Sequence, residues 1–194
     1  MKNKKQHIAP TYYNFLRYFE LCAADTQESY LSILRQQPRP DTLCGEDVPA
    51  NLNHITYGQL DDMRDLSDAD TQSTDLVAAF AEILFGHPMN VYDEDVNAVF
   101  GFVNFCVSEI TRINTLFSSI QPSYSQEERA AGVESLSFGS FGILDWYARR
   151  MGLTDHNEVC SVPWVRIYQC MKNDHAQQEY ERRLHSQYTK KTKK

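Results

Sequence analysis

The sequence has few residues that break helices. It contains 8 glycines and 7 prolines among 194 residues, a composition that suits long helices better than many turns. Hydrophobic residues make up 42% and aromatic residues 12% of the chain. That share is enough to build a core, so a disordered chain is not expected.

Cysteine is also sparse, and no regular spacing relates its five positions, which are Cys22, Cys44, Cys106, Cys160 and Cys170. An odd, irregular set is not a disulfide framework, and we expect reduced thiols. The first residues lack the apolar stretch of a signal peptide. The longest apolar runs, around 76–85 and 96–107, carry polar residues and are too short to span a bilayer. We therefore expect a cytoplasmic protein without a membrane segment.

Positive charge is scarce in the body of the chain. The formal net charge is -7, with 19 basic and 26 acidic residues. Seven lysines lie in two short tails, and removing them leaves 12 basic residues against the 26 acidic ones; they are Lys2, Lys4, Lys5, Lys190, Lys191, Lys193 and Lys194. An acidic body repels phosphate backbones, which disfavours nucleic-acid binding. The tails are solubilising ends or, alternatively, an electrostatic tether to an acidic partner.

A helix-start pattern occurs twice, at residues 55–60 and 136–141. Each copy reads apolar, hydroxyl, aromatic, Gly, polar, apolar. Thr56 and Ser137 occupy the position of an N-cap. The apolar residue before each cap can pack on the apolar residue four positions after the cap, as a hydrophobic staple. These pairs are Ile55 with Leu60 and Leu136 with Phe141. The second copy is richer in aromatic residues, and we expect it to be the centre of the C-terminal core.

The pattern of apolar spacing predicts an all-α fold, a multi-helix bundle with an N-terminal helical hairpin and a long C-terminal helix. Residues 1–37 form the arm and hairpin, with a stripe of Tyr13, Leu16 and Phe19. Residues 38–53 are rich in proline and read as a linker loop, and residues 54–194 form the helical body. Helices are predicted in the body at about 57–66, 74–85, 94–120, 126–131, 138–151, near 155 and from 163 onward.

No set of residues has the spacing of a catalytic or metal site. Residues 139–142 are not a nucleophile elbow, because no strand precedes them. The aspartates between Asp61 and Asp75 do not fit an EF-hand loop. Two His/Cys pairs could hold zinc, His156 with Cys160 and Cys170 with His175. However, Cys170 and His175 are five residues apart, a poor angular match on one helix, and free cysteine is common in protein cores. We therefore expect no enzyme activity, no cofactor and no metal.

Aromatic residues of the C-terminal helices are the best candidates for binding a protein partner. Trp146, Trp164 and Tyr168 lie in the body. Beyond Asn173 the last helix turns polar, and its apolar residues recur at i, i+4 and i+8. These are Tyr180, Leu184 and Tyr188, a narrow stripe typical of a helix that docks on a partner.

The C-terminal half resembles small helical proteins of tailed-phage tail modules, and the nearest family is that of the tail assembly chaperones. The resemblance covers about a third of the chain and rests on residues 130–134, 138–142, Asp145, 148–152 and 162–168. It implies a cofactor-free helical protein that binds the tape-measure protein, or another phage structural protein, before tube polymerisation. Such a family acts through surfaces, so no functional residue is carried over.

Together these observations predict a non-enzymatic interaction protein that shields an apolar helical segment of a partner during phage assembly in the host cytoplasm. Homo-oligomerisation is compatible with this role. The alternative is a virion structural or head-tail adaptor protein that stays in the particle. A further alternative is a helix-turn-helix DNA-binding regulator built on residues 148–163, although Asp155 and Glu158 would lie on its recognition helix.

Overall fold

The computed structural model describes residues 10–68, 75–120, 124–136 and 138–192. About 70% of the chain is helical, and the described residues hold nine α-helices and one two-stranded antiparallel hairpin. The all-α prediction is confirmed, as is the long C-terminal helix. The helices are α1 Tyr12–Phe19, α2 Ala24–Leu34, α3 Tyr57–Asp68, α4 Asp75–Phe85, α5 Val96–Ser118, α6 Gln126–Ala130, α7 Gly139–Met151, α8 His156–Cys160 and α9 Trp164–Thr192; the strands are β1 Thr42–Leu43 and β2 Glu46–Asp47.

The chain folds into two compact units. Unit 1 comprises the described residues of Met1–Leu52 and Asp62–Thr111, and unit 2 those of Asn53–Asp61 and Arg112–Lys194. The borders fall within α3 and α5. This division differs from the predicted arm and hairpin at 1–37, linker at 38–53 and body at 54–194.

Unit 1 begins with the predicted helical hairpin, α1 and α2. The hydroxyl of Thr11 caps α1 by accepting from the backbone N–H of Asn14 at 3.3 Å. The buried face of α1 is turned from the predicted one, because Tyr12 is buried whereas Tyr13 is 54% exposed. The Tyr12 ring lies 6.1 to 6.5 Å from the rings of Phe15, Tyr92 and Phe100. This aromatic cluster holds α1 on unit 1.

The segment predicted to be a linker is an integral part of unit 1. Leu43, Val48 and Leu52 are each at most 4% exposed. The side-chain amide of Asn104 in α5 donates to the carbonyls of Leu34 and Gln37, at 2.9 and 3.3 Å. The prediction of a separating linker at 38–53 is therefore wrong. The segment has no helical or strand periodicity, so nothing in the sequence indicates that Leu43, Val48 and Leu52 are buried.

Unit 2 is built on the first copy of the helix-start pattern, and its predicted N-cap is confirmed. The Thr56 hydroxyl accepts from the Gln59 N–H at 3.2 Å, and the Gln59 side chain accepts from the Thr56 N–H at 3.0 Å. This reciprocal pair is a capping box. The backbone then joins the start of α3 to the start of α9, because Tyr57 N–H donates to the Val162 carbonyl at 2.8 Å.

The second copy of the pattern behaves differently. Ser137, its predicted N-cap, lies outside the described residues, and α7 begins at Gly139 with Phe138 at the N-cap position. Leu136 and Phe141, the predicted staple, are 63% and 61% exposed. The expectation that this copy is the centre of the C-terminal core is therefore wrong. The helix ends as predicted, at Gly152 in the left-handed conformation with φ +68°.

Helix α5 falls within the helix predicted at about 94–120 and continues beyond the apolar run at 96–107. By length and composition alone it is able to cross a bilayer, a test that core helices also pass. In unit 1 its side chains Val99, Phe102 and Cys106 are fully buried, and in unit 2 Ile113 is fully buried. The helix thus supplies core side chains to each unit.

Candidate interaction surfaces

An aromatic cluster in unit 2 contains two of the predicted partner-binding residues. The Phe117 ring lies 6.1 Å from the Trp164 ring and 5.6 Å from the Tyr168 ring, and Arg112 stacks over Trp164 at 5.9 Å. Trp164 is only 2% exposed, whereas Tyr168 is half-buried. Trp164 is therefore a core residue, and its predicted role in partner contact is corrected. Its packing instead fixes the start of α9.

Trp146 lies elsewhere in unit 2, on α7. It is half-buried, and the Arg150 guanidinium lies over its ring at 5.9 Å while pairing with Asp174 of α9 at 3.1 Å. Trp146 lines a small cleft of about 160 Å³ together with α9 residues that include Met171 and His175. The cation-π contact and the ion pair thus join α7 to α9, and they leave one side of Trp146 facing an open cleft.

The three tail residues form one exposed surface, which we call the α9 stripe: Tyr180, Leu184 and Tyr188. They are 57%, 39% and 62% exposed. Arg182 projects from the other side of α9, since two helical residues span about 200°. Arg182 lies 3.8 Å from Glu128 of α6. The side of α9 that meets α6 is therefore opposite the stripe.

A second exposed apolar surface was not predicted. We call it the Leu136 patch: Leu136, Phe138 and Phe141, which are 63%, 70% and 61% exposed. The Phe141 ring meets the His156 ring edge-on at 5.1 Å between centroids. Three large apolar side chains within six residues are a typical mark of an interaction surface. The pattern of alternating glycine, serine and phenylalanine was the available signal, but it also fits a buried helix start.

Unit 1 also has an apolar cleft, of about 190 Å³, between α1 and α2. Its walls are mostly aromatic, and it is lined by Pro10, Asn14, Phe15, Tyr18, Phe19, Cys22 and Tyr30. Leu21, in the turn between the two helices, and Ile33 of α2 are 78% and 56% exposed. The hairpin therefore presents apolar surface of its own.

Within residues 10–68, 75–120, 124–136 and 138–192, no three His, Cys, Asp or Glu side chains are grouped to hold a metal ion. Burial and the carboxylate of Glu94 raise the pKa of the Cys44 thiol to about 11. Burial raises the pKa of Cys106 far above its usual range. Both groups are neutral thiols at physiological pH and poor nucleophiles.

The region proposed for DNA reading does not have the geometry of a recognition helix. Helix α8 is five residues long, begins after the Asp155 cap and includes Glu158. A recognition helix needs a longer basic face to enter the major groove. The turn after Gly152 is thus a short corner between α7 and α8.

Comparison with known protein families, with curated proteins and with solved structures finds no match for this chain.

Proposed function

We propose that this protein is a non-enzymatic, assembly chaperone-like interaction module. It shields an apolar helical segment of a phage structural protein, such as a tape-measure protein, in the host cytoplasm. The observation that carries the proposal is the α9 stripe, a line of exposed apolar side chains on a helix that extends far beyond its packed beginning.

Helix α9 is buried at its start and exposed near its end, as expected of a helix that presents a binding surface. At its start, Trp164 and Ile167 are buried and fix the helix to unit 2. Further along, every side chain described from Tyr180 to Tyr188 is exposed. A rigid helix anchored at one end presents its stripe without an additional ordering cost, which favours binding.

The geometry of the stripe suits a helical partner. Residues at i, i+4 and i+8 span about 12 Å along one helix face. An amphipathic helix laid along that face buries its own apolar side chains against two tyrosines and a leucine. Tyrosine is enriched among residues that dominate binding energy, because it combines apolar area with a polar tip. The stripe therefore recognises an apolar segment without a chemical reaction.

The test is a pull-down of the tagged chain from its native host while the neighbouring genes are expressed. Mass spectrometry identifies the captured proteins, and mature particles are searched for the chain. The variant Tyr180→Gln/Leu184→Gln replaces two of the three stripe side chains by glutamine, a good helix former. The control Ser186→Gln places the same residue type on the opposite side of α9. We expect capture of a helical structural protein, reduced at least tenfold by the stripe variant and unchanged by the control.

Two outcomes would overturn the proposal. If the chain is found at fixed stoichiometry in mature particles, it is a virion structural or adaptor protein. If the stripe variant captures the same partner as the unchanged chain, the stripe is not the binding surface.

A further inference from the structure

The α9 stripe and the Leu136 patch are complementary in charge as well as in apolar character. Residues 125–160, which surround the patch, hold six acidic and three basic residues, a net charge of -3. Residues 180–192, which carry the stripe, hold one acidic and four basic residues, a net charge of +3. Unlike charges around two apolar surfaces favour contact between them.

Ion pairs within the chain involve several of the residues in these two counts. Two of the three arginines near the patch are already paired, Arg149 with Asp145 at 2.9 Å and Arg150 with Asp174 at 3.1 Å. Near the stripe, Arg183 is exposed. Its guanidinium donates to the backbone carbonyl of Glu179 at 3.2 Å. One residue of each count, Glu128 and Arg182, also pair with each other, at 3.8 Å. When that pair is set aside, the net charge is -2 around the patch and +2 around the stripe, so the two surfaces keep opposite signs.

We propose that the α9 stripe of one copy docks on the Leu136 patch of a second copy. The contact is heterologous, since each chain contributes a different surface, and such contacts propagate into rings or open chains. This inference does not depend on the proposed function, because it concerns the purified chain alone. A partner helix that binds the stripe would compete with the second copy for it.

The available area sets the expected strength. The six side chains are 39% to 70% exposed, and an aromatic side chain offers roughly 150–250 Å². They therefore contribute about 600 Å² of apolar surface. Because apolar atoms form roughly 56–58% of an interface, the whole contact covers about 1,000 Å². That is the lower limit for a specific interface, so we expect weak association at roughly micromolar concentrations or above.

The test uses two variants, each of which replaces two of the three apolar side chains of one surface. The patch variant is Leu136→Ser/Phe138→Ser, which leaves Phe141 and its contact with His156 in place. The stripe variant is Tyr180→Gln/Leu184→Gln. Gln126→Ala near the patch and Ser186→Gln on α9 are controls that change no charge. Sedimentation velocity is measured from about 10 to 300 μM in low salt, where attraction between exposed charges is least screened. Circular dichroism checks that each variant is folded.

We expect the mass of the unchanged chain to rise with concentration above the 22.4 kDa monomer. Each variant alone stays monomeric, and both controls behave like the unchanged chain. An equimolar mixture of the two variants forms a dimer and nothing larger, because each supplies the one surface that the other lacks. Raising the salt weakens association of the unchanged chain several-fold.

Three results would overturn the proposal. The unchanged chain remains a monomer at 300 μM; or the patch variant still associates, which indicates stripe-to-stripe pairing; or the mixture of variants stays monomeric. A successful pull-down of a phage protein together with a strictly monomeric chain would refute this inference alone and leave the proposed function intact.

Discussion

Replacing Gly101 by alanine tests how segment 36–52 is held on α5. A methyl group at Gly101 would overlap the backbone carbonyl oxygen of Pro38 and would lie 3.1 Å from its carbonyl carbon. Backbone atoms cannot rotate away as a side chain does. The loop must therefore move off α5, and this strains the two nearby bonds from Asn104 to the carbonyls of Leu34 and Gln37.

Two opposing effects set the magnitude. Overpacking of a close contact costs about 1–3 kcal/mol, whereas glycine to alanine within a helix gains up to about 1 kcal/mol. Because the overlap is with backbone atoms, the cost lies at the upper end of its range, and the net loss in the free energy of unfolding is about 2 kcal/mol. For a chain of this size, about 1 kcal/mol lowers Tm by roughly 2–4 °C.

The assay is urea unfolding followed by circular dichroism, with hydrogen exchange of the amides in 36–52. Val107→Ala is the matched control, because Val107 is 44% exposed on the same helix and its replacement raises helix propensity without meeting the loop. We expect faster exchange of 36–52 in Gly101→Ala only. If Gly101→Ala is as stable as the unchanged chain and its loop exchanges no faster, the close approach of Pro38 to α5 is not a constraint on the fold.

Three smaller predictions concern a cap, a turn and a thiol. Thr56→Ala should lower the free energy of unfolding by about 1 kcal/mol, while Thr56→Ser should preserve most of it, since only the hydroxyl accepts from Gln59; equal stability of the two variants in urea would contradict the capping box. Cys44→Asn should raise stability by up to about 1 kcal/mol, because Cys44 has φ +51° in the turn between β1 and β2 and asparagine tolerates that conformation better; a lower Tm would refute this. Alkylation of Cys44 by iodoacetamide, followed by peptide mass spectrometry, should increase up to about pH 11, because its raised pKa keeps the thiol neutral below that pH; a midpoint near pH 9 would contradict the raised pKa.

The helices that sequence predicts well are those with a cap, a continuous apolar stripe and a stop signal together. Helix α4 ends at Phe85 and is followed by Gly86, with φ +80°, directly before His87-Pro88. Helix α9 begins directly after Pro163. In each case the signal is local, because it depends on the conformational limits of one or two residues. The all-α class and most helix boundaries follow from such signals.

The segment 38–53 shows where local signals fail. Its prolines and lack of periodicity describe the backbone correctly as non-helical, apart from the short hairpin of β1 and β2. Hydrogen bonds between its backbone and side chains of α5, more than fifty residues later in the chain, hold it in place. There Glu109 accepts from the Leu52 N–H at 2.9 Å, and Asn104 binds the carbonyls of Leu34 and Gln37. A polar residue within an apolar helix gives no indication of which distant backbone group it binds.

The candidate surfaces were predicted only in part, for a related reason. The α9 stripe was correctly expected to be exposed, because the rest of that helix is strongly polar and offers no second face for a core. Trp164 was not distinguished from a surface aromatic, since its burial depends on Phe117 and Arg112, about fifty residues earlier. Burial of an aromatic side chain is a property of its neighbours in space.

The two copies of the helix-start pattern show most clearly that local sequence sets where a helix starts, whereas distant contacts set whether its apolar residues are buried. Both copies are followed by helices, as the pattern predicts. Ile55 and Leu60 are buried because the first copy exchanges backbone hydrogen bonds with the start of α9, from Tyr57 to Val162 and from Trp164 to Ile55. In the second copy, the backbone bonds found for Leu136 and Phe138 reach only Val133 and Gly142. A capping signal therefore determines where a helix starts, whereas a distant partner strand or helix determines whether its apolar residues are covered. The apolar side chains of the second copy are exposed, although Tyr57 donates to the Ser140 carbonyl at 3.5 Å and the Phe141 ring contacts the His156 ring. This exposed apolar surface is suited to contact another chain.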